Sequence, residues 1–558
     1  MKHVLSTLGG WLAWAALSAQ TGAALDYAKI SQTSGNLNAD LVNHGRFGYV
    51  SADGQNRICA GAPFAGNGEV RLIELNPEGT VASEMQLHAD DFPVFDTITG
   101  AEFGTSAAFP GDLNGDGKED FLIGAPGAGA AGALVLLLSE GPGYTAQFLT
   151  LPENLSAPGL RLGAHLCFKS GLFYAALATE TGSIAAFTVT PEGAVHVAHT
   201  YGPETVLLSE ELSPGDRFGA GITVSDLDGD GIDDILCGAP GDDDGGTDYG
   251  AVYQVFLTAE GEADRIVKLS AERGGFTGFL NSGDDFGIST AVLGDLDQDG
   301  NVTIAVGAPG DDDGLLNSGA VWVIFLKADG TMKRQRKISL LQGNFQHSGL
   351  GFDDGFGTRI AAVGDLNGDG TVDLVSGTPG DDDGGTDRGA FFSVLIEQCE
   401  IPVAVFTYET DGPEVSFSIP GGEGFTYIWN FTGGHYSQEQ NPVHTFSSTG
   451  TFTVCLTING PCGGNHYCGP VSVTALSTAS AEAEQTKVFP NPATTYFRIE
   501  SPAEIRSVTL VDMSGREVYR DVVRNRTPEI SVAGFAPGLY LLNIETAAGM
   551  TVQKIKVH

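Results

Sequence analysis

The sequence predicts an all-β protein: a β-propeller followed by two smaller β domains. Three observations predict it. A phrase recurs six times at roughly 55 to 70 residues, each copy trailed by short apolar runs that read as four strands, the pattern of a propeller blade. The composition, with 79 Gly, 18% charged and 42% hydrophobic residues, is that of a turn-rich globular chain. The strand pattern then changes twice after residue 400. At 558 residues the chain is also too long for one core of ordinary size.

The chain opens with Met1-Lys2-His3, an apolar run from Val4 to Leu17 and small residues at Ala19 and Gly22 to Ala24. This reads as a secretory signal over residues 1–24 with cleavage between Ala19 and Leu25, and no other hydrophobic stretch near membrane-spanning length follows. The mature chain is expected to be exported, with no transmembrane helix. A formal charge of −42, from 28 basic and 70 acidic residues, argues against nucleic acid or an anionic membrane as a partner and favours cations.

Residues 26–398 form the propeller. Its units start at Phe47-Gly48, Phe103-Gly104, Leu162-Gly163, Phe218-Gly219, Phe286-Gly287 and Phe356-Gly357. Each continues through a turn to a second run such as Phe121-Leu-Ile, then Gly-Ala-Pro, a third run opening with Gly-Ala and a fourth such as Arg265-Ile-Val-Lys-Leu-Ser or Arg336-Lys-Ile-Ser-Leu. The last unit ends after its third run, Gly389-Ala-Phe-Phe-Ser-Val-Leu-Ile. Tyr27-Ala-Lys-Ile-Ser-Gln near the N-terminus resembles the missing fourth, and pairing the two would remove an open edge. Six blades are expected, with seven as the alternative if a degenerate unit lies in 64–102 or 164–215.

Asp-rich turns join the first and second runs of four units. In the second unit Asp112, Asn114, Asp116 and Asp120 place oxygen side chains at turn positions 1, 3, 5 and 9, with Gly117 at position 6 and the Lys118 carbonyl at position 7. The fourth unit repeats this with Asp226, Asp228, Asp230, Ile232 and Asp234, and the sixth with Asp365, Asn367, Asp369, Thr371 and Asp373. Hard oxygens at this spacing suit calcium, whereas soft metals would take His or Cys. The fifth unit has Asp295, Asp297 and Asp299, but Thr303 replaces the ninth-position carboxylate, so weaker binding is expected. The first and third units have no such set. No helix-flanked calcium hand is present, because position 12 is Ile123, Cys237 or Ser376 where that motif carries Glu.

A second acidic series follows Gly-Ala-Pro or Gly-Thr-Pro at Asp242 to Asp244, Asp311 to Asp313 and Asp381 to Asp383. Strand alternation puts it on the opposite propeller face, beside Asp284, Asp285, Asp353 and Asp354. A solvated acidic surface is expected there, with docking of a cationic partner or further divalent ions as the alternative. Cys59, Cys167 and Cys237 fall singly in apolar runs and are expected to be buried. Cys399, Cys455, Cys462 and Cys468 permit two disulfides in three pairings.

Residues 400–475 carry short alternating strands, including Thr426-Tyr-Ile-Trp429-Asn-Phe, and read as a sandwich anchored on Trp429. Residues 476–485 are a polar, Ala-rich linker, and 486–558 a third β domain.

The Phe-Gly, Asp-x-Asn/Asp-x-Asp-Gly and Gly-Ala-Pro units resemble FG-GAP repeats, the building block of the integrin α-chain propeller. The resemblance implies calcium at the turns named above and partner recognition on the opposite face. Trp429-Asn-Phe and Asn441-Pro-Val-His-Thr-Phe resemble a PKD domain, although Thr432-Gly433-Gly434 replaces the usual Asp-Gly. Phe489-Pro-Asn-Pro-Ala-Thr-Thr, Asp512-Met-Ser-Gly-Arg-Glu-Val-Tyr and Pro537-Gly-Leu-Tyr resemble the C-terminal (Por) sorting domain of the type IX secretion system. That likeness implies a Bacteroidota-type bacterium, handling of 486–558 by the secretion machinery, and release or attachment at the outer cell surface.

Two functions remain open on the sequence. One is a non-enzymatic adhesion or binding platform for an extracellular protein or glycan. The other is a secreted hydrolase or lyase on polysaccharide or another polymer, with the propeller as scaffold. No His-Glu-x-x-His, Gly-x-Ser-x-Gly or Cys-x-x-Cys occurs, which favours the first.

Overall fold

The computed structural model describes residues 24–396, 404–473 and 486–558, apart from 39, 142, 346–347, 420–424, 432–434, 461–462, 513–515 and 548. Residues 1–23 of the signal segment, Cys399, Cys462, Thr432 to Gly434 and the linker lie outside the described residues, whereas Ala24 begins a strand. The chain divides into two compact units, one of them Thr21–Cys399. Secondary structure among the described residues is strand and short 3-10 turn throughout.

Six antiparallel four-stranded sheets, here blades one to six, occupy 49–88, 107–148, 166–201, 222–270, 290–339, and 360–396 with Ala24–Ile30. Blade four is representative: Ile222–Ser225 is innermost, then Asp234–Ala239, Ala251–Leu257 and Ala263–Ser270. The second and third strands are buried along their whole length, as blade strands packed between two neighbours must be. The innermost strands touch in ring order from blade one to six, and six touches one. Residues 64–102 and 164–215 hold strands of blades one and three together with their connecting loops. Ala24–Ile30 pairs antiparallel with Ala390–Ile396, so the N-terminal strand completes blade six as the sequence predicts.

The repeated phrase is the stitch between blades. The Gly that opens each third strand bridges the aromatic or Leu of the next unit, as in Gly250 with Phe286, and Gly389 with Phe47 closes the ring. The Gly of Gly-Ala-Pro packs on the Phe-Gly of the next blade so closely that a Cβ at Gly238 would lie 1.6 Å from the Gly287 carbonyl oxygen. Only hydrogen fits there.

In the other unit, 404–473 forms a three-stranded and a four-stranded sheet. Trp429 is fully buried, its ring 5.1 Å from those of Phe406 and Phe417 and its Nε1 donating to the Glu439 carbonyl at 2.9 Å. This is the anchor the sequence predicts. Cys455 and Cys468, on neighbouring strands, form a disulfide. Residues 486–558 form a second pair of sheets around Phe497, Ile499, Leu510 and Leu542.

Candidate metal centre

In blade four the innermost strand runs into Asp226, and the chain reverses through Gly229 and Gly231, both at φ values near +80 to +90° that side chains disfavour. Asp226 then caps its own turn, accepting from the Gly229 amide at 2.7 Å and the Gly231 amide at 2.9 Å. Asp230 accepts from the Ile232 amide at 2.8 Å, which fixes position 7 of the loop. Oxygens of Asp226, Asp228 and Asp234 come within 4.8 Å of one another. The turns of blades two and six repeat the caps: Asp112 accepts from Gly115, Asp116 and Gly117, Asp116 from Lys118, Asp365 from Gly368, Asp369 and Gly370, and Asp369 from Thr371. Asn114 and Asn367 turn their amide oxygens inward to the Asp116 and Asp369 amides.

The ninth-position carboxylate has a role that spacing alone does not reveal. Asp120, Asp234 and Asp373 are buried, and each ties the turn to the end of the third strand. Asp234 accepts from the Leu227 and Leu257 amides at 2.9 Å, Asp373 from Leu366 at 2.9 Å and Ile396 at 2.8 Å, and Asp120 from Leu113 and Ser139 at 2.8 Å. Burial pushes the Asp234 and Asp373 carboxyls up to about 6 against these amide bonds, with the other turn aspartates adding to the rise.

Blade five departs from this in two ways. Thr303 cannot make the tether, and the amide of Leu326, the counterpart of Leu257 and Ile396, donates to the Val302 carbonyl at 3.1 Å. Asp295, Asp297 and Asp299 still converge within 4.8 Å, but the chain brings its own cation to them. The Lys333 ammonium sits between Asp297, at 3.1 Å, and Asp299, and Arg334 reaches Asp297 at 3.1 Å. Burial raises the Asp299 carboxyl, and the Lys333 hydrogen bond, the two Asn301 hydrogen bonds and the Lys333 charge together more than reverse this. By contrast, no Lys or Arg among the described residues pairs with Asp112, Asp116, Asp365 or Asp369, and in blade four only Asp228 is paired, with Arg265 at 2.9 Å. Blades one and three reverse in short turns. In blade one Asp53 holds Arg57, and in blade three the turn is Ser170-Gly171.

The opposite face corrects an expectation. The outer aspartates of each triplet are not a solvated surface, because a lysine from the fourth strand lies between them. Lys268 reaches Asp242 at 2.8 Å and Asp244 at 2.7 Å, Lys337 reaches Asp311 at 2.6 Å and Asp313 at 3.5 Å, and Lys29 reaches Asp381 at 2.5 Å and Asp383 at 3.0 Å. A serine two residues on completes each clasp: Ser270 to Asp244, Ser339 to Asp313 and Ser31 to Asp383, at 2.6 to 2.9 Å. The signal was present in the sequence as a recurring Lys-x-Ser. Beside these clasps, Asp216, Asp284 and Asp354 are buried, and burial raises each carboxyl to about 6. Cys59 and Cys237 are buried as expected, whereas Cys167 is only partly so because it lines the axial channel.

The donor set at the turns of blades two, four and six is carboxylate and amide oxygen around a tight reversal, without a nitrogen or sulfur ligand, and so fits a hard divalent cation. Family comparisons agree with the repeat. The FG-GAP repeat family matches residues 103–137 and 218–253, the PKD domain family 402–475, and the secretion system C-terminal sorting domain 487–558. The chain carries FG-GAP repeats, a PKD domain and a type IX sorting domain.

Human integrin alpha-7 is 42% identical over 113 residues, 20% of this chain and 9% of that protein. Bovine phosphatidylinositol-glycan-specific phospholipase D is 35% identical over 186 residues, 32% of this chain and 21% of that protein. The chain thus spans only a small part of either relative. It also aligns over 91% of its length with 59% of PorZ, a surface component of the Porphyromonas gingivalis type IX secretion system, at 15% identity and a TM-score of 0.35, too slight a likeness to argue from. The sorting domain marks the FG-GAP chain as one delivered to the cell surface or beyond by the type IX system. No helix among the described residues is long and apolar enough to cross a membrane.

Proposed function

We propose that the protein is a calcium-stiffened, non-enzymatic binding platform displayed outside the cell. Calcium would be held by Asp112, Asn114, Asp116 and Asp120, by Asp226, Asp228, Asp230 and Asp234, and by Asp365, Asn367, Asp369 and Asp373, with the carbonyls of Lys118, Ile232 and Thr371. The ion offsets carboxylate repulsion and stabilises the folded blades by mass action. The observation that carries this reading is the contrast within one fold: the turn that has lost its ninth carboxylate takes two cations from the chain, Lys333 and Arg334, whereas blade four takes one, Arg265, and none pairs with Asp112, Asp116, Asp365 or Asp369 among the described residues.

A partner would meet the other face, where Phe279, Leu316 and Phe352 stand 79%, 55% and 65% exposed around the closed lysine clasps. Apolar side chains rimmed by charge are the composition of an interaction surface. The Asp353 amide donates to the Leu316 carbonyl at 3.0 Å, so two of these residues share one rim. The likeness to a phospholipase D favours the hydrolase reading as the alternative, but the axial channel is lined by one carboxylate, Asp53, and Arg57 engages it. That leaves no carboxylate pair there for acid and base work. The test is an array of extracellular proteins and glycans probed with the mature chain in calcium and in chelator. Calcium-dependent binding lost in Phe279→Ser/Phe352→Ser is expected. Turnover of an array polymer would overturn the non-enzymatic reading, and binding unchanged in that variant would overturn the assigned face.

A further inference from the structure

The axial channel, about 330 Å³, is lined by the innermost strands of all six blades. Three residues after each Gly-stitch aromatic or Leu, the repeat places Val50, Ser106, His165, Gly221, Ser289 and Arg359 at one level of this channel. Blades three and six face each other across the ring, and Arg359 spans the gap. Its Nη2 donates to the Ala164 carbonyl at 3.2 Å and its Nη1 to the Thr358 carbonyl at 3.0 Å. Its guanidinium lies 5.1 Å from the Tyr49 ring centroid.

No carboxylate among the described residues pairs with Arg359, and its buried Nε has no hydrogen-bond partner. In a chain of net charge −42 this is conspicuous. Four other buried or largely buried cations of the propeller each have one or two carboxylates: Lys268, Lys337, Lys29, and Arg71 with Glu69 and Glu84. Arg359 is partly buried, and a charge withdrawn even partly from water without a counter-charge is costly; a fold with so many acids to spare had the means to supply one. Ser106 and Ser289 at the same level turn their hydroxyls away, to the Gly163 and Gly357 carbonyls at 2.7 Å, which leaves the guanidinium as the polar feature of the level beside the His165 imidazole.

We propose that the channel is a binding site for a small carboxylate, held by the Nη hydrogens of Arg359 that the Ala164 and Thr358 carbonyls leave open, between blades three and six. The planar fork of arginine matches a carboxylate, and the volume admits a ligand of a few heavy atoms beside it. Burial and the neighbouring Arg359 charge both hold the His165 imidazole well below its ordinary pKa, so His165 is neutral and leaves the anion to the arginine. The site is independent of the partner face and of the metal turns.

The test is thermal melting and titration calorimetry of the full mature chain in saturating calcium at constant ionic strength, comparing chloride, succinate and a blocked Gly-Asp-Gly peptide. Succinate is expected to raise the melting temperature of wild type and to release heat on titration. Arg359→Gln is expected to melt at or above wild type without ligand and to lose the succinate response. A response to the peptide alone assigns the carboxylate to a partner's side chain. No response to either, or an equal response in Arg359→Gln, overturns the proposal. Should Arg359→Gln fail to fold, Arg359→Lys keeps the charge without the planar fork. At least tenfold weaker binding is then expected, and unchanged binding overturns the assignment.

Discussion

The two faces of the propeller use the same residue, aspartate, to opposite ends. On the Gly-Ala-Pro face, Asp242 and Asp244, and their counterparts in blades five and six, close on a lysine supplied by the fourth strand. On the other face, the turns of blades two and six carry aspartates to which the chain brings no ammonium or guanidinium among the described residues, and the three aspartates of blade four converge with one arginine, Arg265, at Asp228. Blade five stands between the two: an acidic turn that has acquired Lys333. A cluster of carboxylates needs a cation. Whether that cation belongs to the chain or comes from solvent separates a fixed structural contact from a ligand site.

Removing the built-in cation is the severest way to test this division. Lys268→Met leaves Asp242, 2% exposed, facing Asp244 with the Tyr253 hydroxyl as its remaining side-chain donor and only the half-exposed Arg273, 3.7 Å from Asp244, as a nearby cation. Breaking a buried pair from one side costs on the order of 3–5 kcal/mol. A fall of that size in urea-unfolding stability is expected, unrelieved by calcium. Rescue by calcium would erase the distinction between the faces.

The comparison sharpens if blade five is moved to the other class. Thr303→Asp with Lys333→Gln restores the ninth carboxylate and withdraws the ammonium. This double variant is expected to bind one more calcium ion than wild type by native mass spectrometry, and at calcium a hundredfold above its dissociation constant to gain roughly 2–3 kcal/mol. An unchanged ion count would show that the Asp295 to Asp299 turn lacks something besides those two positions.

An effect of similar size concerns the buried Asp284. Its carboxyl is raised to about 6, chiefly by burial, with Asp311 adding to the rise. The folded state therefore holds the proton more tightly than the unfolded chain. The sign follows: this group lowers stability as pH rises from about 4 to about 6, and its cost is complete above that. Asp284→Asn keeps an oxygen for the Asn281 amide, 2.8 Å away, and removes the charge. The variant is expected to match wild type near pH 4 and to exceed it by about 2–3 kcal/mol at pH 7.5, about two pKa units at about 1.4 kcal/mol each. A constant difference across that range would remove ionisation as the cause.

Much of this fold is legible in the sequence because its repeat is local. The Phe-Gly starts, the Gly that precedes each third strand and the stray fourth strand at Tyr27 to Gln32 announce blades, stitches and closure without knowledge of distant contacts. The Asp-x-Asp-x-Asp turns are legible for the same reason, being self-capped within nine residues. What could not be read depends on pairing across strands. Lys268 and Asp242 stand 26 residues apart, and nothing in a linear reading says that one fourth strand ends beside one Gly-Ala-Pro loop. Lys333 is invisible at the turn it fills for the same reason, and Arg359 meets Ala164 only because the ring closes. Spacing marks the ninth aspartate as a metal ligand, while its tether to Leu257 or Ile396 needs the third strand in place.

The most direct measurement of the central claim is a pair of thermal melts of residues 26–398 within the mature chain, in millimolar calcium and in excess chelator, for wild type and for Asp226→Asn/Asp228→Asn. Calcium is expected to raise the wild-type midpoint by about 5 °C or more, and the variant to lose part of that rise while its chelated midpoint falls by less. Superimposable wild-type melts would contradict the claim, and so would a calcium response that the variant keeps in full.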